Sequence, residues 1–149
     1  QYNPRRVKGT LYKGGINVPM IVSGNKVNRS NDNDNSLINT TDLYSTVAEL
    51  CGIENSDVFD SKSFVGLFNS NSSSNTRDFI YSELGNNEYA IRNSTHKYIH
   101  FEGGSEALFN LSMNEFERPN LLIQSQLPLS SDDSKNKDEL ITKLNQIRN

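Results

Sequence analysis

The chain offers few residues whose type and spacing could do chemistry. Lys8 opens the stretch VKGTLYKGGINVP, Val7 to Pro19, in which glycines stand at 9, 14 and 15 and a proline closes the run. A lysine ammonium can meet an anion as a compact point charge, but on its own Lys8 reads as a solvated loop lysine. His96 and His100 lie four apart in HKYIH. On a strand that spacing puts both on one face yet about 13 Å apart, too far for one metal ion unless the strand bends. Asp32 and Asp34 in NDNDNS invite a calcium reading. An EF-hand loop counted from Asp32 needs Gly at its sixth place and Glu at its twelfth, and Leu37 and Leu43 stand there, so a solvated loop is the better reading. Cys51 is the single cysteine. It excludes an internal disulfide and a Cys-rich zinc site, and in the apolar context VAELCGI it reads as a buried, inert thiol.

The elements that must position these groups fit one ordinary domain's worth of chain, 149 residues with 34% hydrophobic and 22% charged content. The formal net charge of -3 argues against a general nucleic-acid binder, which would show a basic face. No apolar run reaches the roughly 18 to 20 residues of a membrane helix. Gln1 opens a polar, Arg-containing segment with no signal-peptide pattern, and a start on Gln rather than Met leads us to expect residues upstream.

Residues 1–15 read as a loop, and NVPMIVSG as a short buried strand carrying Val18, Met20, Ile21 and Val22. NTTDLYSTVAELCG predicts a helix. Asn39, Thr40 and Thr41 offer caps, Asp42 sits in the first turn, Gly52 suits the left-handed position after the end, and Leu43, Val47 and Leu50 form the apolar face with Tyr44, Ala48 and Cys51 beside it. An apolar patch, Phe64 to Phe68, precedes a polar Ser/Asn-rich linker. DFIYSEL, EYAIRNS, HKYIHFEG and EALFNLS follow as short β-runs, the middle pair a hairpin around RNST, together a small antiparallel sheet. A second Ser-rich linker, LPLSSDDSKN, precedes a last helix, KDELITKLNQIRN, with Leu140, Leu144 and Ile147 as its stripe. The fold class expected is α/β: residues 1–55 the end of a larger α/β domain, 56–78 a linker, and 79–149 a small α+β subdomain. One strand and one helix cannot stand alone, because each has a face that needs a partner.

KGTLYKGGINVPMIVSG resembles the second signature region of the sulfatases, in the alkaline phosphatase superfamily, which typically reads Lys-Gly-x-x-x-Glu-Gly-Gly-x-Arg-Val-Pro before an apolar strand. SLINTTDLYSTVAELCGI is similar to that family's Asp-containing helix, and RDFIYSE, YAIRNSTHKYI and ALFNLSMNEFERPNL to its C-terminal strands. In the last, Leu108, Leu111, Glu117, Asn120 and Leu121 keep the family's register without a gap. The resemblance implies an alkaline-phosphatase-like α/β fold and hydrolysis of sulfate esters, plausibly of a sulfated carbohydrate, in the periplasm or outside the cell. It implies that Lys8 contacts the sulfate, offsetting charge on the ester oxygens, and that His96 or His100 could border the substrate cleft. Arg92 and Lys97 match family positions in the hairpin and read as structural.

Two positions depart from the pattern. Lys13 stands where the family has Glu, and Asn17 where it has Arg, so both members of an acid–base pair are gone together; losing one alone would strand a charge. The family's calcium ion and its formylglycine nucleophile, made from Cys or Ser in a Cys/Ser-x-Pro-x-Arg motif, are implied to lie upstream. Cys51 is followed by Gly-Ile-Glu-Asn and is not that nucleophile. The expectation is the C-terminal portion of a sulfatase-like enzyme, inert by itself and dependent on its upstream catalytic segment. The alternatives are a phosphoester or phosphonate hydrolase of the same superfamily, or a non-catalytic binding or structural module.

Overall fold

The computed structural model describes residues 6–53, 59–69 and 77–149. Its elements run α1 (Lys13–Ile16), α2 (Asp42–Leu50), a 3-10 turn (Val65–Phe68), β1 (Ile80–Leu84), β2 (Glu88–Arg92), β3 (His96–His100), β4 (Glu106–Asn110), a second 3-10 turn (Gln124–Gln126) and α3 (Ser131–Arg148). Two compact units result, one of residues 1–19 with 81–149, the other of 20–80. Most of the first Ser/Asn-rich linker lies outside the described residues. Among them no helix is long and apolar enough to cross a membrane.

In the first unit the four β-runs form a meander in the order β1-β2-β3-β4. The hairpin expected around RNST pairs Arg92 with Lys97 and Ala90 with Ile99, and β3 continues onto β4 with Ile99 opposite Ala107 and Lys97 opposite Phe109. Side chains alternate between faces, so Ala90, Arg92, Lys97, Ile99, Ala107 and Phe109 share one side. The opening segment packs there: Leu11 joins Ala90, Ile99, Ala107 and Phe109 in a core flanked by Tyr12, Phe101 and Leu111. The opposite side, with Ile91, His96, Tyr98, His100 and Leu108, receives α3, which buries Leu140 and Leu144.

Helix α3 begins earlier than its apolar stripe suggests, inside the stretch expected to be a linker. Ser130 caps it: its side chain accepts from the Asp133 N–H at 3.1 Å and donates to Asp133 Oδ2 at 2.5 Å. Asp132 and Asp133 in the first turn complement the helix dipole. The Ser and Asp residues that look like linker composition are cap chemistry. The buried stripe ends at Leu144, and Ile147 is exposed.

Three expectations for residues 18–53 are corrected. The run Val18–Val22 is not a buried strand: it has no regular secondary structure, and Val18 and Ile21 are 79% and 94% exposed. A strand needs a hydrogen-bonding neighbour, and none of the described residues supplies one. Helix α2 forms where expected and ends on Gly52 at φ +79°, with the Ile53 N–H donating to Ala48 O and the Gly52 N–H to Glu49 O, a Schellman stop. Its buried side, however, is Asp42, Ser45, Thr46 and Ala48, while Leu43, Tyr44, Val47 and Leu50 are exposed. The polar side docks the segment after residue 60 through hydrogen bonds. Ser61 Oγ accepts from the Ser45 N–H at 3.0 Å, Thr46 Oγ1 from the Phe64 N–H at 3.1 Å, and Asp42 Oδ1 from the Lys62 N–H at 2.9 Å. Phe64 and Phe68 are buried beside it, edge to face at 6.0 Å. Cys51, expected buried, is exposed for the same reason.

Candidate functional site

Residues 6–16 fold into a tight loop closed by α1. Gly9 takes φ +79°, a left-handed position that favours glycine. At Gly14 and Gly15 the constraint is space: a Cβ would collide with the Arg6 carbonyl oxygen at the first and with those of Thr10 and Val7 at the second. These glycines admit the chain's own backbone rather than a ligand. Thr10 Oγ1 donates to Val7 O at 2.7 Å, which tightens the turn further. Lys8 stands exposed on this turn and has no hydrogen bond or ion pair among the described residues.

What holds the loop is Glu117, 104 residues further along. Its Oε2 accepts from the Lys13 backbone N–H at 2.8 Å, its Oε1 from Lys97 Nζ at 2.5 Å, and its carbonyl oxygen from Arg6 Nη1 at 2.7 Å. The Lys97–Glu117 pair is buried, each side chain 3% exposed. Burial pulls the Lys97 pKa below the usual lysine range, and the Glu117 charge and hydrogen bond act against that. Glu117 itself sits at φ +59°, a conformation costing a non-glycine residue about 1 kcal/mol or more unless its surroundings fix it. Here both its carboxylate and its carbonyl are engaged. Arg6 also lays its guanidinium over the Tyr12 ring at 4.3 Å.

The Lys13 departure finds its account here. Lys13 Nζ pairs with Glu115 at 2.5 Å in a partly exposed bridge and stands 5.7 Å from the centre of the Phe116 ring. Lys13 thus has a partner of its own beside this loop.

The histidines lie on the other face of the sheet from this loop. His96 is buried, its Nε2 2.8 Å from Asp133 Oδ1 and its Nδ1 2.9 Å from Thr95 Oγ1. Burial alone would raise the Asp133 pKa, but hydrogen bonds from Ser130, His96 and Asn110 outweigh it and hold the carboxyl below its ordinary range. The ionised carboxylate only accepts, so His96 Nε2 carries the proton between them. His100 is half-buried and stacks on Tyr89 at 4.6 Å, with ring planes 5° apart. His96 belongs to the seam between the sheet and α3, His100 lies on the same face against Tyr89, and the structure does not bring them together with Lys8.

Among the described residues, the acidic groups do not fit the calcium ion the family implies. His96, Asp132 and Asp133 place ligand atoms within 4.8 Å of one another. A hard calcium ion takes oxygen ligands, and both Asp133 oxygens already accept protein hydrogen bonds as part of the α3 cap. Asp32 and Asp34 are bound by Arg29, a cation where calcium would have to be. Asp42 is buried and paired with Arg77, which with the Asn39 and Lys62 amides outweighs burial and holds its carboxyl below the usual range. It is a structural hub of the second unit, more than the first-turn residue expected. The sequence marked Glu117, Lys97 and Asp42 singly, but not the pairs they form.

Set beside solved structures, the four-stranded antiparallel sheet with its terminal helix is the fold of a sulfatase C-terminal region. BT1596, a 2-O GAG sulfatase, superposes with a TM-score of 0.66 at 21% identity over 84% of this chain. BT4656, solved in complex with its substrate D-glucosamine-2-N,6-O-disulfate, superposes at 0.55 with 18% identity over 72%. This chain spans only 28% and 23% of those two proteins. The family described as N-sulphoglucosamine sulphohydrolase, C-terminal, matches residues 6–147, and the chain belongs to it. No curated protein matches the sequence.

Proposed function

We propose that this chain is the C-terminal portion of a sulfuric-ester hydrolase acting on a sulfated carbohydrate, and that Lys8 contacts the sulfate being cleaved. The observation that carries the reading is the membership of residues 6–147 in a sulfatase C-terminal family, with Lys8 exposed and unpaired among the described residues on a loop that Glu117 holds at Arg6 and Lys13. An ammonium held there offers charge to the ester oxygens as the sulfur–oxygen bond breaks. The sulfated-glucosamine complex of BT4656 supports a sulfated sugar as substrate. Residues 1–55 would close the catalytic α/β domain and 79–149 would form its C-terminal subdomain, with the segment around Leu11 packed on the sheet of the latter. The formylglycine and calcium implied by the family would be held by residues outside this chain, which by itself would hydrolyse nothing. A periplasmic or extracellular setting is part of the same proposal.

The test is Lys8→Met and Lys8→Arg in the complete protein, assayed on sulfated glucosamine and on a phosphate monoester. Loss of one charged group that acts in the transition state costs about 10²- to 10³-fold. The reading expects a loss of that order for Lys8→Met with an unchanged melting temperature, and partial retention for Lys8→Arg. Activity of Lys8→Met within twofold of wild type overturns the Lys8 role. Turnover of the phosphate ester alone moves the assignment to a phosphoester hydrolase.

A further inference from the structure

Beside the Lys8 loop lies an open cleft of about 740 Å³ lined by Arg6, Asn114, Arg118, Pro119, Asn120 and Ile123. It is shallow and open to solvent, a surface recess rather than an enclosed pocket. Two guanidinium groups line it and no carboxylate does. The neighbouring acids are spoken for: Glu115 pairs with Lys13, and Glu117 is buried against Lys97 and the Lys13 amide.

The hydrogen-bonding inventory is one-sided. Arg118 is exposed and has no partner among the described residues. Arg6 spends one N–H on Glu117 O and is steadied over Tyr12, which leaves further donors. Asn114 uses its side-chain oxygen to accept from the Phe116 N–H, leaving its amide N–H groups free. Asn120 is consumed by the fold: its oxygen accepts from the Leu108 and Leu122 N–H groups and its amide donates to Glu106 O. Donors remain and acceptors are used up, so the cleft favours an anion. Pro119 and the half-exposed Ile123 add an apolar wall against which a sugar ring could lie. Arg6 is two residues from Lys8, so their Cα atoms are within about 7.6 Å.

We propose that Arg6, Arg118 and Asn114 form a second anion site, taking a further sulfate or a carboxylate carried by the sugar whose first sulfate meets Lys8. The proposal rests on the sulfated-carbohydrate reading above and adds to it a preference for substrates with two anionic groups.

The clean variant is Arg118→Gln, because Arg118 holds nothing else in place, whereas Arg6 also supports the loop. The complete protein is assayed on a glucosamine carrying two sulfates and on one carrying only the sulfate that is cleaved. Arg118→Gln should raise KM for the first about five- to tenfold with kcat within twofold, and leave the second unchanged. Added salt should erode the wild-type preference between the two. An equal effect on both substrates, or on neither, overturns the second site. Direct binding of the disulfated sugar by calorimetry separates the two proposals. If no turnover is found at all but Arg118→Gln still weakens binding, the hydrolase reading fails and the anion site stands. If Lys8→Met abolishes turnover while Arg118→Gln changes neither KM nor binding, the anion site fails and the hydrolase reading stands.

Discussion

Glu117→Gln tests the account of how the lysine loop is held. The substitution keeps the size of the side chain and an oxygen for the Lys13 N–H, and removes only the charge that faces Lys97 at 2.5 Å. Breaking a buried ion pair from one side costs about 3–5 kcal/mol, because the remaining charge is left without compensation. With the Lys13 contact retained, the low end applies, about 3 kcal/mol. Burial already lowers the Lys97 pKa; without Glu117 it falls further, so the folded state holds fewer protons than the unfolded chain on the alkaline side. The deficit should therefore be largest near neutral pH and shrink as pH rises toward the ordinary lysine value of about 10.4. Lys97→Met with Glu117→Gln removes both charges at similar volume and should recover all but about 1 kcal/mol. Denaturant titration of the four proteins of the cycle gives the coupling energy, and hydrogen exchange at residues 11–17 shows whether the loop loosens with it. A Glu117→Gln cost below about 1 kcal/mol, or a double variant as unstable as the single one, would refute the clamp.

Two further outcomes follow from the same contacts. Lys13→Glu sets a carboxylate against Glu115 in a partly exposed site, so it should destabilise the loop by about 0.5–1 kcal/mol at low salt and less at high salt; a stabilising effect in thermal melts would sink the idea that the Glu and Arg of the family pattern were lost as a pair. Asp42 and Asp133 both have pKa values lowered by folding. At acid pH the folded state binds fewer protons than the unfolded chain, so their stabilisation is complete above the unfolded carboxyl value of about 4 and is lost as pH falls through the lower folded values. Melting temperature against pH should fall below about pH 4, with a shallower fall in Asp133→Asn; a variant curve as steep as wild type would mean Asp133 contributes nothing to acid stability.

Local chemistry was legible and long-range pairing was not. The four strands and the RNST hairpin declare themselves through alternation and turn residues, and Gly52 declares the end of α2, because each signal spans only a few residues. The start of α3 was hidden, since Ser130 and Asp133 have the same composition whether they cap a helix or fill a linker. Helix α2 shows a clear apolar stripe, yet amphipathicity says which side is apolar, not which side this chain covers. Its polar side is the one that docks, on Ser61, Lys62 and Phe64.

The candidate site divides along the same line. The sequence alone set out the lysine, the glycines its loop requires, the strands beneath it and the family to which they belong. Tertiary structure alone decided that Glu117 reaches back 104 residues to hold Lys13, that His96 serves the α3 cap on the far face of the sheet, and that Arg6 and Arg118 meet in one cleft. Hydrogen bonds and ion pairs act over a few ångströms of space and carry no fixed spacing along the chain. Only the folded backbone brings their partners within reach.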